Sequence, residues 1–152
     1  MLRLKGLFLL LLSCPMFFLL PLTQAGAQGP VDIKKGAACA ECGMEVEDMR
    51  FAAEVIYKNG RVAFICSPGD LFNYYDSEDK SRIAAVYVKD FSTKRWVEAD
   101  KAYYLYGGDV KGPMDYGIIA FKDMASAKAF MKQHKAKGML TFQEVLNKKI
   151  YK

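Results

Sequence analysis

Apolar and polar positions along this chain fall into short blocks, and the order of the blocks repeats. Residues 51–57 are rich in strand formers, Lys58-Asn59-Gly60-Arg61 carries the Asn-Gly signal of a tight hairpin, and residues 62–66 read as the partner strand. Ser67-Pro68-Gly69-Asp70 has the form of a helix start, with Pro68 in the first turn and Asp70 suited to the positive helix end. Leu71, Phe72, Tyr74 and Tyr75 supply the apolar side of that helix. Residues 76–82 read as a polar loop, 83–89 as a strand, 90–94 as a turn, and 95–97 as a brief strand around the single tryptophan. The second half follows suit: a strand at 102–106, a glycine-rich connection at 107–117, a partner strand at 118–121 and a helix at 126–134 with Ala127, Phe130 and Met131 at helical spacing. Gly138 is expected to stop that helix, and 139–142 is a closing strand running into 143–149. Strand, strand, helix, strand occurs twice, so the expected architecture is α+β: two tandem ββαβ units, antiparallel sheet packed with short helices.

The first 27 residues stand apart from this pattern. Arg3 and Lys5 form a basic start, an almost unbroken apolar run extends from Leu7 to Leu22, and Ala25-Gly26-Ala27 is a small-x-small cleavage site. Pro15 and Pro21 interrupt the run, which barely reaches the ~20 residues a membrane span needs, so residues 1–27 read as a cleaved signal peptide. Leu11-Leu12-Ser13-Cys14 resembles a lipoprotein signal, but the apolar run continues past Cys14. Residues 28–38 read as a flexible lead-in and 39–152 as the functional domain, exported to the periplasm with membrane attachment as an option. The chain of 152 residues is 52% hydrophobic and 26% charged, which suits a single domain behind such a leader. Its net charge of +5 is spread in mixed runs, so a nucleic-acid footprint is not expected.

Chemistry concentrates in Cys39-Ala40-Glu41-Cys42-Gly43-Met44. Thiolates and thioethers are soft donors that select Cu(I), zinc or iron–sulfur over magnesium or calcium. The methionine shifts the balance toward Cu(I), making Cys42-Gly43-Met44 a candidate copper half-site. Past the leader the cysteines are Cys39, Cys42 and Cys66, an odd number, so at least one thiol is spare or metal-bound. Two other readings stand beside copper. A structural zinc site would use Cys39, Cys42, Cys66 and His134 as a closed Cys₃His set. A thiol–disulfide protein would use the CxxC pair, although the acidic Glu45–Asp48 stretch that follows is expected to raise its thiol pKa. Cys66, at the end of an apolar strand, reads by default as a small buried hydrophobe. No nucleophile–base pair, phosphate loop or paired-carboxylate cleft is apparent in the sequence, so neither catalysis nor a small-molecule substrate is expected.

Cys-Ala-Glu-Cys-Gly-Met-Glu-Val at 39–46 resembles the signature of the NosL family, copper-binding accessory proteins of nitrous oxide reductase in denitrification. The resemblance continues through Phe51-Ala52-Ala53, Ser67-Pro68-Gly69-Asp70, Ala84-Ala85-Val86-Tyr87-Val88, Ala102-Tyr103-Tyr104, Gly112-Pro113-Met114 and Ala120-Phe121. It implies a pair of ββαβ units and an exported Cu(I) carrier that helps supply the reductase's copper–sulfide centre. The implied partner is the copper-receiving reductase or its maturation complex at the membrane. Carried over by position, Cys42 is the thiolate ligand and Met44 the thioether ligand, on the same side of the chain if the segment is extended. Met114, in a loop with no obvious core to fill, is the first candidate for a third donor. Met49 is a weaker one, and Met124, Met131 and Met139 are expected in the core. Cys39 is a further ligand, the disulfide partner of Cys42 when the site is empty, or neither. The family commonly has glycine after that methionine, where this chain has Asp115.

Overall fold

The computed structural model describes residues 29–152, and the proposed leader lies outside them. Both expected units form, with one topology. In the first, strands β1 (Ala53–Tyr57) and β2 (Val62–Ile65) make a hairpin, helix α1 (Pro68–Ser77) crosses over, and β3 (Ile83–Lys89) returns to the other side of β1. A short β4 (Trp96–Glu98) extends the sheet to the order β2-β1-β3-β4. In the second unit β5 (Tyr103–Tyr106) and β6 (Ile118–Phe121) form the hairpin, α2 (Met124–His134) crosses, and β7 (Gly138–Thr141) pairs with the free side of β5. A third helix, α3 (Phe142–Lys148), follows directly, its start fixed by a capping box between Thr141 and Glu144. All strand pairings are antiparallel.

Local signals explain most boundaries. Gly60 takes a left-handed φ of 84° at the first hairpin, as the Asn-Gly pair predicts. Ser67 caps α1 with Pro68 at its first turn, and its hydroxyl accepts from the Asp70 amide. Three expectations shift. Helix α1 runs on to Ser77, and a 3₁₀ turn at Lys80–Arg82 fills what reads as loop. Helix α2 ends on left-handed Lys135 rather than at Gly138. Gly138 instead opens β7, where a Cβ would lie 2.8 Å from the Tyr106 ring, so its smallness serves sheet packing.

One aromatic cluster ties the units together. Phe72 of α1 meets Tyr104 of β5 edge-on at 5.0 Å, Phe142 of α3 at 5.0 Å and Tyr151 at 5.6 Å. A second, smaller cluster lies under α2, where Phe91, Phe121 and Phe130 pack against Phe51. Met131 and Met139 pack against this cluster, as expected. Met124 does not: as the first residue of α2 it stays 41% exposed.

Strand β1 is buried along its whole length and carries a carboxyl into the interior. Glu54 Oε1 accepts from the Val31 amide at 3.0 Å, which fastens residue 31 to the sheet, and Oε2 is buried without a partner. Burial pushes the Glu54 pKa up from 4.5 to about 7. The folded state therefore binds this proton more tightly than the unfolded chain. Glu54's contribution is fully present below pH 4.5 and is lost as pH rises through about 7. Denaturant titrations across this window should show up to about 3 kcal/mol of stability lost with rising pH through this group. Glu54→Gln should remove that part of the slope, and an unchanged slope would refute the assignment.

Candidate metal centre

The hexapeptide 39–44 folds as a tight loop, so the extended segment on which a shared side for Cys42 and Met44 depends does not form. The Cys39 amide donates to the Met44 carbonyl at 2.7 Å, the Gly43 amide donates to the Cys39 carbonyl at 2.9 Å, and Gly43 takes a φ of 77°. Ala38 bridges Glu45 antiparallel at the neck of the loop. The Ala40 amide donates to the Phe64 carbonyl on β2 at 2.8 Å, so the loop hangs on the edge of the first sheet. That attachment sets it against the end of β2, where Cys66 lies.

The consequence is a cluster of donors from two distant segments. Sulfur atoms of Cys39, Cys42 and Cys66 and a carboxylate oxygen of Asp70 all lie within 4.8 Å of one another. Cys42 Sγ and Cys66 Sγ are 3.5 Å apart. The Cys66 thiol donates to Asp70 Oδ2 at 2.9 Å, the Ser67 hydroxyl donates to the same oxygen at 3.1 Å, and Asp70 Oδ1 is buried with no partner. Cys39, Cys66 and Asp70 are buried, whereas Cys42 is half-buried at the mouth. All three cysteines are free thiols, so Cys39 and Cys42 are not joined as a disulfide here.

The electrostatics suit a cation. The Cys66 thiol lies beside Cys39, and the amides of Cys42, Cys66 and Glu41 donate toward the same sulfur, bringing the Cys39 thiol down to about 5 despite burial. For Cys39 this corrects the expectation that the acidic stretch would raise the pair's thiols: the Cys66 side chain first, then the local amides, outweigh burial. Cys66 is pushed up by the Cys39 sulfur, by burial and by Asp70, and burial raises Cys42. Glu41 is also raised, by burial and by repulsion from Asp70 and Cys39. A thiolate and neighbouring carboxylates that repel one another mark a pocket of negative potential.

Both candidate methionine ligands are exposed. Met44 is 51% exposed, and its amide donates toward the Cys42 sulfur. Met114 is 48% exposed in the 107–117 loop. That loop is held at three points: the Gly107 amide closes its base on the Gly117 carbonyl, Gly112 lies against the Phe51 ring, and Tyr116 lies on Gly69 with its hydroxyl accepting from Asn73. Between these anchors Met114 and Asp115 both take a φ of 59°, a left-handed conformation that glycine adopts most easily. Met49 packs against the main core.

His134 does not join the cluster. Its Nδ1 lies 3.1 Å from Asp109 Oδ1, and its ring stacks at 3.9 Å on Phe130, one turn earlier in α2. The Cys₃His set is therefore not formed, and the fourth donor beside the thiols is Asp70. Asp70 is not legible as a donor without the fold, and Cys66 is legible only through the zinc set that the structure does not form. The available hint is that Cys66 immediately precedes a helix cap and Asp70 occupies its first turn. The acidic stretch is also partly committed: Glu45 accepts from the Gly36 amide, and Asp48 pairs with Arg50 at 2.6 Å.

Residues 30–150 match the family described as NosL. The chain is 27% identical over 126 residues to the copper-binding lipoprotein NosL of Stutzerimonas stutzeri, with 76% of this chain aligned. It spans 65% of that relative's length. The structure resembles the crystal structure of the copper chaperone NosL from Shewanella denitrificans with a TM-score of 0.67 and 27% identity, covering 78% of this chain and 95% of that one.

A Cβ on Gly69 would lie 2.2 Å from the Tyr116 ring, which cannot yield without moving the Met114 loop. Gly69→Ala should cost about 1–3 kcal/mol in urea unfolding. It should also change the fluorescence or NMR signals of Tyr116, and a neutral substitution would show that the loop is not seated there.

Proposed function

The chain belongs to the NosL family, and on that premise we propose that it is an exported Cu(I) carrier whose cargo engages Cys42, Met44 and Met114. The observation that carries this reading is the grading of sulfur exposure: exposed thioethers, a half-buried thiol at the mouth, and buried thiols behind it. Soft sulfur donors suit Cu(I), and exposed thioethers let an acceptor's ligand add before the carrier's own ligand leaves. Cys42 is the anchoring thiolate, and Met44 and Met114 are the exchangeable partners. Cys39, with its sulfur held anionic by surrounding donors, adds negative charge behind them.

The acceptor is the nitrous oxide reductase or its maturation complex at the membrane, where copper is required for a copper–sulfide centre. Delivery takes place in the periplasm after export by the leader, with membrane attachment an additional means of holding the carrier near its acceptor.

Two rivals fit less well. A thiol–disulfide exchanger needs its anionic sulfur within reach of a partner, but Cys39 is buried, and the reachable Cys42 is the thiol that burial keeps protonated. A structural zinc site could recruit Asp70 as its fourth donor, which is the observation in its favour. That site would leave the exposed Met44 and the strained Met114 without a purpose.

Titration of the reduced protein against a Cu(I)-selective chelator should show tight binding that Cys42→Ser lowers by about a hundredfold or more, above what loss of an outer partner typically costs. Met44→Leu and Met114→Leu should slow copper release to a soft acceptor. If Cu(I) is not bound, or if removing zinc unfolds the protein, the structural-zinc reading replaces this one.

A further inference from the structure

Cu(I) on the exposed edge leaves Cys39 and Cys66 without a ligand role, although the fold brings both sulfurs up behind Cys42. We propose that Cys39, Cys42 and Cys66 form an inner three-thiolate seat for the same cargo. Cys42 is shared, so that the ion rests inside and is handed outward to Met44. This deepens the carrier reading and rests on it.

The geometry is close to what such a seat requires. Metal–thiolate bonds of about 2.3 Å in a trigonal arrangement put the sulfurs roughly 4 Å apart. The donor atoms already lie within 4.8 Å of one another, and Cys42 and Cys66 are at 3.5 Å. Side-chain torsions alone supply shifts of a few tenths of an ångström. The backbone is fixed around them: the Ala40 amide on the Phe64 carbonyl holds one side, and the Cys66 amide donates to the Cys39 sulfur at 3.4 Å on the other. The amides that surround Cys39 and the start of α1 just after Cys66 offset the negative charge of a three-thiolate complex.

Asp70 separates copper from zinc. A carboxylate oxygen is a hard donor, which Cu(I) ignores when three thiolates are in reach, whereas zinc takes it as a fourth ligand. In the copper form Asp70 keeps its bond to Ser67 and remains part of the helix cap.

The transfer balances without a redox partner. On loading, Cu–S bonds replace the S–H bonds of protonated thiols, and the released protons go to solvent. On presentation, Cu(I) stays bonded to Cys42, gains the Met44 thioether and loses Cys39, which stays a thiolate, and Cys66, which takes a proton back from solvent. Copper remains monovalent throughout.

X-ray absorption on reduced, selenomethionine-labelled protein with one equivalent of Cu(I) tests this. Three sulfurs at about 2.3 Å from copper, and no copper neighbour at the selenium edge, are expected. Cys66→Ala should weaken Cu(I) binding at least about tenfold, since losing even an outer partner of a ligand costs that much. Met44→Leu should slow release to a soft acceptor. Asp70→Asn should weaken zinc far more than Cu(I). Copper next to selenium in the resting complex, or an affinity untouched by Cys66→Ala, overturns the inner seat while leaving the carrier reading intact. Failure of the wild-type protein to bind Cu(I) overturns both.

Discussion

The first turn of α1 is the constraint on which the rest depends. Asp70 is a buried acid, which the fold tolerates because the Ser67 hydroxyl, the Cys66 thiol and the start of a helix surround it. The same turn presents Gly69 as a flat seat for Tyr116 and, one residue past Asp70, begins the apolar run that sends Phe72 into the aromatic cluster joining the two units. Thiol pocket, methionine loop and inter-unit core therefore share one short stretch of backbone. A displacement there would be felt by all of them at once, because packed interiors transmit strain rather than absorb it.

The proposed carriage is a compromise between holding and releasing, and the graded exposure of the sulfurs suits it. In the proposed carrier, buried thiols in negative surroundings provide affinity. Exposed thioethers provide a path out, since thioethers carry no charge and bind less firmly than thiolates. A half-buried thiol between them belongs to both regimes. The acidic stretch after Met44 contributes less than its composition suggests, because Glu45 is used to hold the lead-in and Asp48 is matched by Arg50. That leaves Glu47 as the exposed acid of the stretch with no such structural duty, a thin basis for steering a partner.

What was legible in the sequence was local. Asn59-Gly60, Ser67-Pro68 and the repeated strand–strand–helix–strand order act over a few residues, and each fixed an element whatever the remainder did. The Cys66–Cys42 contact spans 24 residues and depends on one backbone hydrogen bond from Ala40 to β2, which no spacing rule encodes. His134 misleads for the same reason: as the sole histidine it looks like a ligand, but the helix that carries it belongs to the other cluster. Met124 looks like core because it is apolar, yet it falls on the opening residue of α2, where the side chain faces out. The Cys39 environment is likewise a product of converging amides, visible only once the loop has closed.

The strain at Met114 and Asp115 follows from the same division of labour. Two consecutive non-glycine residues in the left-handed region cost free energy that a loop of no consequence would shed by relaxing. Here relaxation is blocked, because Gly112 is held against Phe51, Tyr116 lies on Gly69, and the Gly107–Gly117 pair closes the base. The methionine is thereby kept exposed between fixed anchors, two residues before Tyr116, whose hydroxyl pKa is raised by burial and by the charges of Asp70 and Glu41. A freely moving thioether would have to be ordered at every capture and release. One whose backbone is already constrained gives up less entropy when it binds, and the strain in the loop is the counterpart of that readiness.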